Sequence, residues 1–352
     1  MITVNLITSD ATTTIAAQGL DGLGISGAIV KQQLNEVSSA TLRFPATNKV
    51  VQTLLGTNRP VIEVLDGAER VFYGGVVSAK VDIWGNTVFE CDGALSFLAD
   101  VVKAPFTCNN RTVADYTLHD IFDTYNNAVQ TEHPERVVWW GGVRGFESVG
   151  NVNIDHSDEY TDTLTLLKEA VETYGGFMFE TFSSSDAKPY VGWFKDPVVD
   201  GGRIIEFGKN EITLDDLLDF SDYASRVYGT GQNGLSDYVI DYDAEAAFGR
   251  RDYAMKTNAE TAGELALQLN AECNKRSTPI RSIELTALDL EQLGLQYSGF
   301  FIGTTATLID SKTGINTAML INSIERDLLE PQNSKIVLGR AAASLTNSLT
   351  RG

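Results

Sequence analysis

Apolar and polar residues alternate along much of the chain, most clearly in its last third, Ser282–Arg340. Between Ile283 and Ala287 every second residue is apolar, which is the period of a strand with one face toward solvent. Further along the chain, Gly314 and Pro331 are residues that favour turns. Runs rich in β-branched and apolar residues flank these turns, at residues 305–309, 318–324 and 334–338. The segment therefore predicts paired strands, and it contains no evident catalytic residue.

The first hundred residues show the same strand pattern, broken by one short helix. The predicted strands are Ile2–Ile7, Gly24–Gln32, Ser38–Phe44, Pro60–Asp66, Glu69–Asp82 and Asn86–Asp92. The apolar spacing of residues 46–55 predicts the helix, with Thr47 or Asn48 as its N-terminal cap. Residues 84–86 (Trp-Gly-Asn) lie between the two long runs and predict a hairpin tip.

Residues 103–200 have a mixed helix and strand pattern and contain most of the tryptophans. Thr117 is the predicted cap of a first helix, with Asp120 favourably placed in its first turn. Thr161 is the predicted cap of a second helix, which ends at residues 175–176 (Gly-Gly). A hairpin across residues 183–186 follows, and we interpret the whole region as an inserted α/β domain.

The strand pattern returns from Gly201, with one long helix predicted at Asn258–Arg276. A chain of 352 residues is long enough for two or three hydrophobic cores. We therefore predict a β domain at 1–102, the α/β insertion at 103–200 and a second β domain at 201–352, with a helical excursion near 258–276.

Short motifs occur in a recognisable order along almost the whole chain. They are Ser39–Pro45, Val71–Val77, Cys91–Leu98, Phe207–Asn210, Asp219–Gly229, residues 288–290 (Leu-Asp-Leu), Ile302–Gly303, Ser323–Leu328, Glu330–Pro331 and Ile336–Arg340. Because these motifs occur in this order, the chain resembles the tail hub proteins of bacteriophages. These form the tail-associated, prophage tail endopeptidase-like family, whose N-terminal region is similar in fold to the central baseplate hub of contractile tails.

The resemblance implies an α+β, mostly β, fold in which residues 1–102 and 201–352 are tube-like antiparallel β-barrel or sandwich domains. It implies a structural virion protein, made in the bacterial host cytoplasm, whose homotrimer presents six β domains in a ring. The ring would adapt a sixfold tail tube to a threefold tip and let DNA pass through its lumen. The implied partners are the tail tube or distal tail protein, the tape measure protein, and tip or fibre proteins. We also expect the strand edges of Ser282–Arg340 to pair between subunits.

The formal net charge of −20 argues against DNA binding by phosphate neutralisation, because that mode needs a basic face. The charge has two interpretations, which are compatible. It keeps the protein soluble, and it would also suit an acidic lumen along which DNA slides without adhering.

The three cysteines, Cys91, Cys108 and Cys273, are far apart and show no metal-ligand spacing. We expect them to be reduced and partly buried. Residues 1–7 lack the basic region and long apolar core of a signal peptide, and no apolar run is long enough to cross a bilayer. The sequence thus predicts no integral membrane segment.

Gly22–Gly27 matches the dinucleotide-binding pattern GxGxxG. That motif needs a helix directly after it, whereas Ala28–Gln32 has a strand pattern, and no acidic residue ends a second strand at the required interval. We interpret the segment as a loop between strands and predict no cofactor site.

Residues 155–159 (Asp-His-Ser-Asp-Glu) place His156 among three carboxylates, and residues 132–133 (Glu-His) could join them around a hydrolytic metal. No HExxH motif accompanies them. We favour a polar turn before a helix, and we interpret His119 as a mid-helix residue. No GxSxG elbow is present, and neither Cys91 nor Cys108 can be paired with a histidine from sequence.

Trp139 and Trp140, with Trp193 nearby in the same region, could form an aromatic platform for a sugar ring. Packing in a core is the favoured interpretation, because tryptophan buries a large area and residues 137–138 (Val-Val) have a strand pattern. Exposed tryptophans would reverse that preference.

We therefore expect a structural protein that is not an enzyme and that has no catalytic, cofactor or metal site. Two alternatives stay open: a tail-associated peptidoglycan endopeptidase, and a carbohydrate-binding receptor-recognition module. Longer members of the resembled family carry a hydrolase or fibre after the hub region, and we expect no such domain after Arg340.

Overall fold

The computed structural model describes residues 1–54, 59–146, 152–182, 188–198, 203–287, 300–312 and 314–339. These residues form two compact units. The first contains Met1–Thr213 and Leu285–Ile336. The second contains Leu214–Glu284 and the described residues from Val337 onward. The predicted motif at 288–290, the hairpin loop at 183–186 and Arg340 lie outside the described residues.

Strands dominate the chain from one end to the other. They are β1 (Ile2–Ile7), β2 (Thr12–Ala17), β3 (Gly27–Gln33), β4 (Ser39–Phe44), β5 (Val61–Asp66), β6 (Glu69–Val81), β7 (Thr87–Gly93), β8 (Val102–Lys103), β9 (Phe106–Arg111), β10 (Trp139–Arg144), β11 (Val152–His156), β12 (Thr161–Asp162), β13 (Phe177–Phe182), β14 (Pro189–Phe194), β15 (Ile204–Glu206), β16 (Glu211–Asp219), β17 (Arg226–Thr230), β18 (Ser236–Ile240), β19 (Asp252–Lys256), β20 (Ile280–Ala287), β21 (Thr305–Asp310), β22 (Ile315–Asp327) and β23 (Lys335–Gly339).

Helices are fewer and short. The α-helices are α1 (Lys49–Thr53), α2 (Val113–Asp115), α3 (Asp123–Val129), α4 (Thr163–Tyr174), α5 (Tyr242–Phe248) and α6 (Ala262–Arg276). A π-helical segment, Tyr116–Phe122, joins α2 to α3, and 3₁₀ turns lie at Ala94–Asp100, Pro134–Arg136, Gln232–Gly234 and Pro331–Asn333.

The first unit is built on a large antiparallel sheet with the strand order β22-β3-β4-β7-β6-β5-β1-β2. Its registers put apolar residues of neighbouring strands on the same face: Ala28 lies opposite Leu42, and Leu42 lies opposite Phe89. These side chains are buried, whereas the residues between them are more exposed. The period-two pattern of the sequence therefore predicted both the strands and the buried face of the sheet.

A second core in the same unit lies around the three-stranded sheet β10-β14-β13. Helix α4 supplies Leu166 and Leu167 to this core, and the helical segment 113–129 supplies Tyr116 and Tyr125. Trp193 is fully buried among them. The mixed helix and strand pattern predicted for this region is thus observed.

The predicted cap of the first helix was wrong. The helical segment begins earlier, and Thr112 caps it by accepting a hydrogen bond from the backbone N–H of Asp115 at 3.1 Å. Thr117 lies inside the segment, where its hydroxyl donates to the Val113 carbonyl at 2.7 Å. Asp120 is buried rather than in a first turn, and it pairs with Lys103 at 2.7 Å and with Arg111.

The second predicted cap is displaced by one residue. Asp162 caps α4 by accepting from the Thr165 N–H at 2.9 Å, whereas Thr161 belongs to the short strand β12. The helix ends where predicted, at Gly175, whose φ of +74° favours glycine. The short helix α1 is capped by Asn48, one of the two residues predicted for this position. Its side-chain oxygen accepts a hydrogen bond from the Val51 N–H at 3.2 Å.

A carboxyl group, that of Glu180, lies inside the first unit. The residue is 4% exposed, and one of its oxygens accepts a hydrogen bond from the Leu95 N–H. The other oxygen, Oε2, lies against Gly93 and is buried without a hydrogen-bond partner. Burial raises the pKa of Glu180 to about 7.

The second unit contains the three-stranded sheet β18-β17-β19, with helix α6 packed on one face. Leu265 and Leu269 of the helix pack against Val227 of the central strand. Gly229 permits this packing, because a Cβ there would lie 2.5 Å from the Leu269 side chain. Thr261 caps α6 in a capping box with Glu264, so the predicted helix is confirmed with a start a few residues later.

The prediction of an α+β, mostly β, fold with antiparallel sheets is confirmed. The described residues form no closed barrel, so the sheets are open, as in the sandwich alternative. One expectation for the last third was wrong: β22 does not leave its edges for another subunit. Residues 323–327 pair with β3 and residues 315–320 pair with β21, both within the chain.

Candidate assembly surface

The β6–β7 hairpin continues past the point where β5 stops pairing with β6. Strand β5 pairs with β6 only as far as Gly75, whereas β7 accompanies β6 to Val81. All residues of Val77–Val81 are exposed. Since no other described strand pairs with this stretch, it is an open strand edge.

Hydrogen bonds organise the tip of this hairpin. One Asp82 carboxylate oxygen accepts from the N–H groups of Trp84 and Asn86, both at 2.9 Å, and the other accepts from the Asn86 amide at 2.9 Å. These bonds, with the Asn86 side chain contributing most, lower the pKa of Asp82. Gly85 takes a φ of +83°, and its carbonyl accepts from the Gln52 amide at 3.2 Å. The predicted tip at residues 84–86 is confirmed, and it is held in one conformation.

The tip carries large apolar side chains that are turned to solvent. Ile83 is 88% exposed and Trp84 is 75% exposed, and Val77 and Val81 of the adjoining edge are 62% and 44% exposed. We name these four residues the hairpin surface. A contiguous exposed apolar patch on an ordered turn is typical of a protein–protein contact.

A second open edge lies at the far end of the same sheet. Strand β2 pairs only with β1, and its first three residues, Thr12–Thr14, are exposed. Strand β2 was not predicted from the sequence, because its alternation of apolar and polar residues is weak. The β-branched run Thr12–Ile15 was the signal that could have predicted it.

The glycine motif Gly22–Gly27 leads into strand β3, which pairs with β4 on one side and β22 on the other. A dinucleotide site would need a helix at this point. The interpretation of the motif as a loop between strands is therefore confirmed.

The histidines are separated rather than brought together. His156 contacts Glu169 of α4 at 3.2 Å and stacks on Phe106, with ring centroids 5.7 Å apart. His133 contacts Glu135 at 3.2 Å, and His119 contacts Asp123 at 2.8 Å on an exposed helix face. Among the described residues, no three His, Cys, Asp or Glu side chains are grouped so that they could hold a metal ion.

The cysteines and two of the tryptophans are packed as predicted. All three cysteines are buried and unpaired, and burial raises the pKa of the Cys91 thiol. Trp193 lies in the core, and Trp140 packs on Phe122 at 4.9 Å. Trp139 differs, because 40% of it is exposed. No helix in the described part of the chain is long and apolar enough to cross a membrane.

The fold is that of phage tail proteins. The 43 kDa tail protein of prophage MuSo2 from Shewanella oneidensis has a TM-score of 0.63 at 14% identity, covering 96% of this chain and 97% of that one. The prophage tail protein gp18 from Listeria monocytogenes EGD-e has a TM-score of 0.61 at 14% identity, covering 99% and 97%.

A third solved structure is an Escherichia coli component of the type VI secretion system, described as similar to the T4 phage tail proteins gp27 and gp5. It has a TM-score of 0.53 at 10% identity, covering 91% of this chain and 74% of that one. In sequence, residues 200–349 match the model of the prophage endopeptidase tail family. No curated protein matches the chain significantly. The resemblance to phage tail-associated proteins is thereby confirmed.

Proposed function

We propose that this chain is a structural component of a phage tail tip, in which three copies form a hub ring around the DNA channel. The observation that carries the proposal is the similarity in fold to prophage tail proteins over nearly the full length of both chains. The E. coli secretion-system protein supports the hub role, because its own description relates it to the T4 tail proteins gp27 and gp5.

Assembly in a ring requires heterologous contacts, in which one surface of a subunit meets a different surface of the next. The hairpin surface and the β2 edge suit that requirement, since they are two different surfaces of one sheet. In the proposed ring, the hairpin of one subunit packs on its neighbour, and its open edge at Val77–Val81 becomes paired. Contact between subunits thus removes exposed apolar area and unpaired backbone groups together.

The net charge of −20 fits a channel through which DNA passes without binding. In this proposal the tail tube or distal tail protein contacts one end of the ring, and the tip or fibre proteins contact the other. The tape measure protein would occupy the lumen before DNA ejection.

The mass of the chain in solution tests the proposal. We expect sedimentation equilibrium to give three times the chain mass at micromolar concentration, and electron microscopy to show rings with threefold symmetry. A chain that stays monomeric at all concentrations, and that does not form rings with the tail tube protein of the same phage, would contradict the trimer.

We also propose that the protein acts by assembly and not by catalysis, although the matching family model carries the word endopeptidase. His156 is the residue to test, because its ring nitrogens face Glu169 and Glu159. Purified peptidoglycan incubated with the chain should release no soluble fragments. Release that is lost in His156→Gln, and kept in the exposed-histidine control His119→Gln, would establish the enzymatic alternative.

A further inference from the structure

A cleft of about 670 Å³ lies beside Trp139, in the first unit. Its walls come from the β5–β6 hairpin, helix α3, the turn around Glu135 and the start of β14 at Pro189. We name it the Trp139 cleft. Its volume lies within the range of pockets that hold small ligands, and most of its wall residues are polar.

Arg70 forms the fixed part of the cleft floor. Its guanidinium donates to Glu63 through Nε at 2.7 Å, and the other Glu63 oxygen accepts from the Asn5 amide at 2.8 Å. The guanidinium carbon lies 5.0 Å from the centroid of the Tyr73 ring. Only 10% of the Arg70 side chain is exposed, and its Nη1 is buried without a hydrogen-bond partner. A buried donor of this kind is destabilising unless something in the cleft accepts its hydrogen bonds.

Glu135 provides a matching acceptor beyond Tyr73. The Tyr73 hydroxyl donates to the Glu135 carbonyl, so the two residues are linked. One Glu135 carboxylate oxygen lies 3.2 Å from His133, and the other, Oε2, is buried without a partner. Two side chains that line the cleft thus each carry one polar atom without a hydrogen-bond partner, Nη1 of Arg70 and Oε2 of Glu135, and both atoms are shielded from solvent in the unbound protein.

The rim supplies a flat apolar surface and further polar groups. Trp139 is 40% exposed, and the Lys188 ammonium lies 4.0 Å from the centroid of its ring, with the Tyr190 ring 6.4 Å away. Asn127 and Gln130 of α3 are exposed on the opposite wall. Their amides can both donate and accept hydrogen bonds.

The charges of the walls favour an uncharged ligand. The walls carry both signs of charge: two cations, Arg70 and Lys188, lie among three carboxylates, those of Glu63, Asp123 and Glu135. Carboxylates would repel an anion, and the buried guanidinium would repel a cation. The hydroxyl groups of a sugar can accept hydrogen bonds from an arginine and donate them to a carboxylate or an amide, and the C–H face of a sugar ring can pack on an indole. We propose that the Trp139 cleft binds a neutral saccharide.

The test is a titration of the full chain with three neutral sugars, maltotriose, triacetylchitotriose and cellotriose, followed by tryptophan fluorescence and ligand-observed NMR. We expect saturable binding of at least one of these sugars, with a dissociation constant below about 10 mM. Trp139→Ala should weaken it about tenfold or more, and Arg70→Lys, which keeps the charge but removes Nη1, should weaken it severalfold. The matched control is Tyr242→Ala, which removes an exposed aromatic side chain of α5, outside both the cleft and the hairpin surface, and should leave the affinity unchanged.

Three results would overturn the proposal: no saturable binding of any of the three sugars, equal weakening in Tyr242→Ala, or binding of trialanine in preference to the sugars. The last result would indicate a peptide site. Thermal unfolding of each variant checks that the fold is kept. Since the hub proposal is tested by mass and ring formation, failure of the saccharide proposal leaves it unaffected.

Discussion

Replacing Trp84 by alanine should weaken the proposed ring without unfolding the subunit. The indole is 75% exposed in the single chain. A tryptophan can bury about 200 Å², so roughly 150 Å² remains available for a partner, equivalent to at most about 4 kcal/mol per contact. Association has its own entropic cost, and we therefore expect a loss of about 2 kcal/mol per contact, a factor of roughly thirty for each of the three contacts in the ring.

Sedimentation velocity across a concentration series measures this change directly. A ring of three subunits has three such contacts, so its free energy of dissociation should fall by about 6 kcal/mol. Because the midpoint concentration of a monomer–trimer equilibrium varies as the square root of the dissociation constant, it should rise about 150-fold in Trp84→Ala. The free energy of unfolding should change by less than about 0.5 kcal/mol. Leu267→Ala is the control, because Leu267 is 73% exposed but lies on α6, in the other unit. An unchanged midpoint in Trp84→Ala, or an equal shift in Leu267→Ala, would refute the assignment of the hairpin surface to assembly.

Three further predictions concern stability, measured by urea unfolding. The pKa of Glu180 in the folded state is about 7, above the usual 4.5, so the free energy of unfolding of the wild type should fall as pH rises from about 4.5 to 7. Glu180→Gln should remove most of this pH dependence, which amounts to a change on the order of 3 kcal/mol. The control Asp10→Asn, at an exposed site, should keep the pH dependence of the wild type. Gly74→Ala should destabilise the protein by about 3 kcal/mol or more, because a Cβ at this position overlaps the backbone carbonyl of Asp92. Its control is Gly263→Ala on α6, where a Cβ meets open space; this change should stabilise the protein by about 0.8 kcal/mol, because alanine favours a helix more than glycine does. Thr261→Ala should cost about 1 kcal/mol by removing the α6 cap, and no loss would contradict the capping box.

Local patterns predicted the elements more accurately than their ends. The strands at residues 2–7 and 69–82 and the tip at 84–86 follow from alternation and turn chemistry, which act over a few residues. The caps at Thr117 and Thr161 were wrong because more than one residue nearby can cap a helix. Burial of the Thr117 hydroxyl against a preceding turn decided the first case, and the pairing of β12 with β8 occupies Thr161 in the second.

The role of single tryptophans could not be predicted from sequence. Trp139 and Trp140 are neighbours in the chain, yet one lines a cleft and the other packs on Phe122. Adjacent residues of a strand point to opposite faces, so the partners of each face, and not the residues themselves, decide exposure. Arg70 and Glu135 carried no sequence signal, because their unused atoms become evident only when both lie beside Tyr73.

The sequence by itself determined the mostly β character, the order of strands and helices, the shape of the hairpin tip and the resemblance to phage tail proteins. All of these depend on short-range periodicity or on the order of motifs. Only the tertiary structure decided that β22 pairs with β3, nearly three hundred residues away, and that the hairpin keeps an open edge. It alone assembled the Trp139 cleft from segments that are distant in the chain. Such contacts depend on how entire sheets pack, and no local pattern of residues encodes that packing.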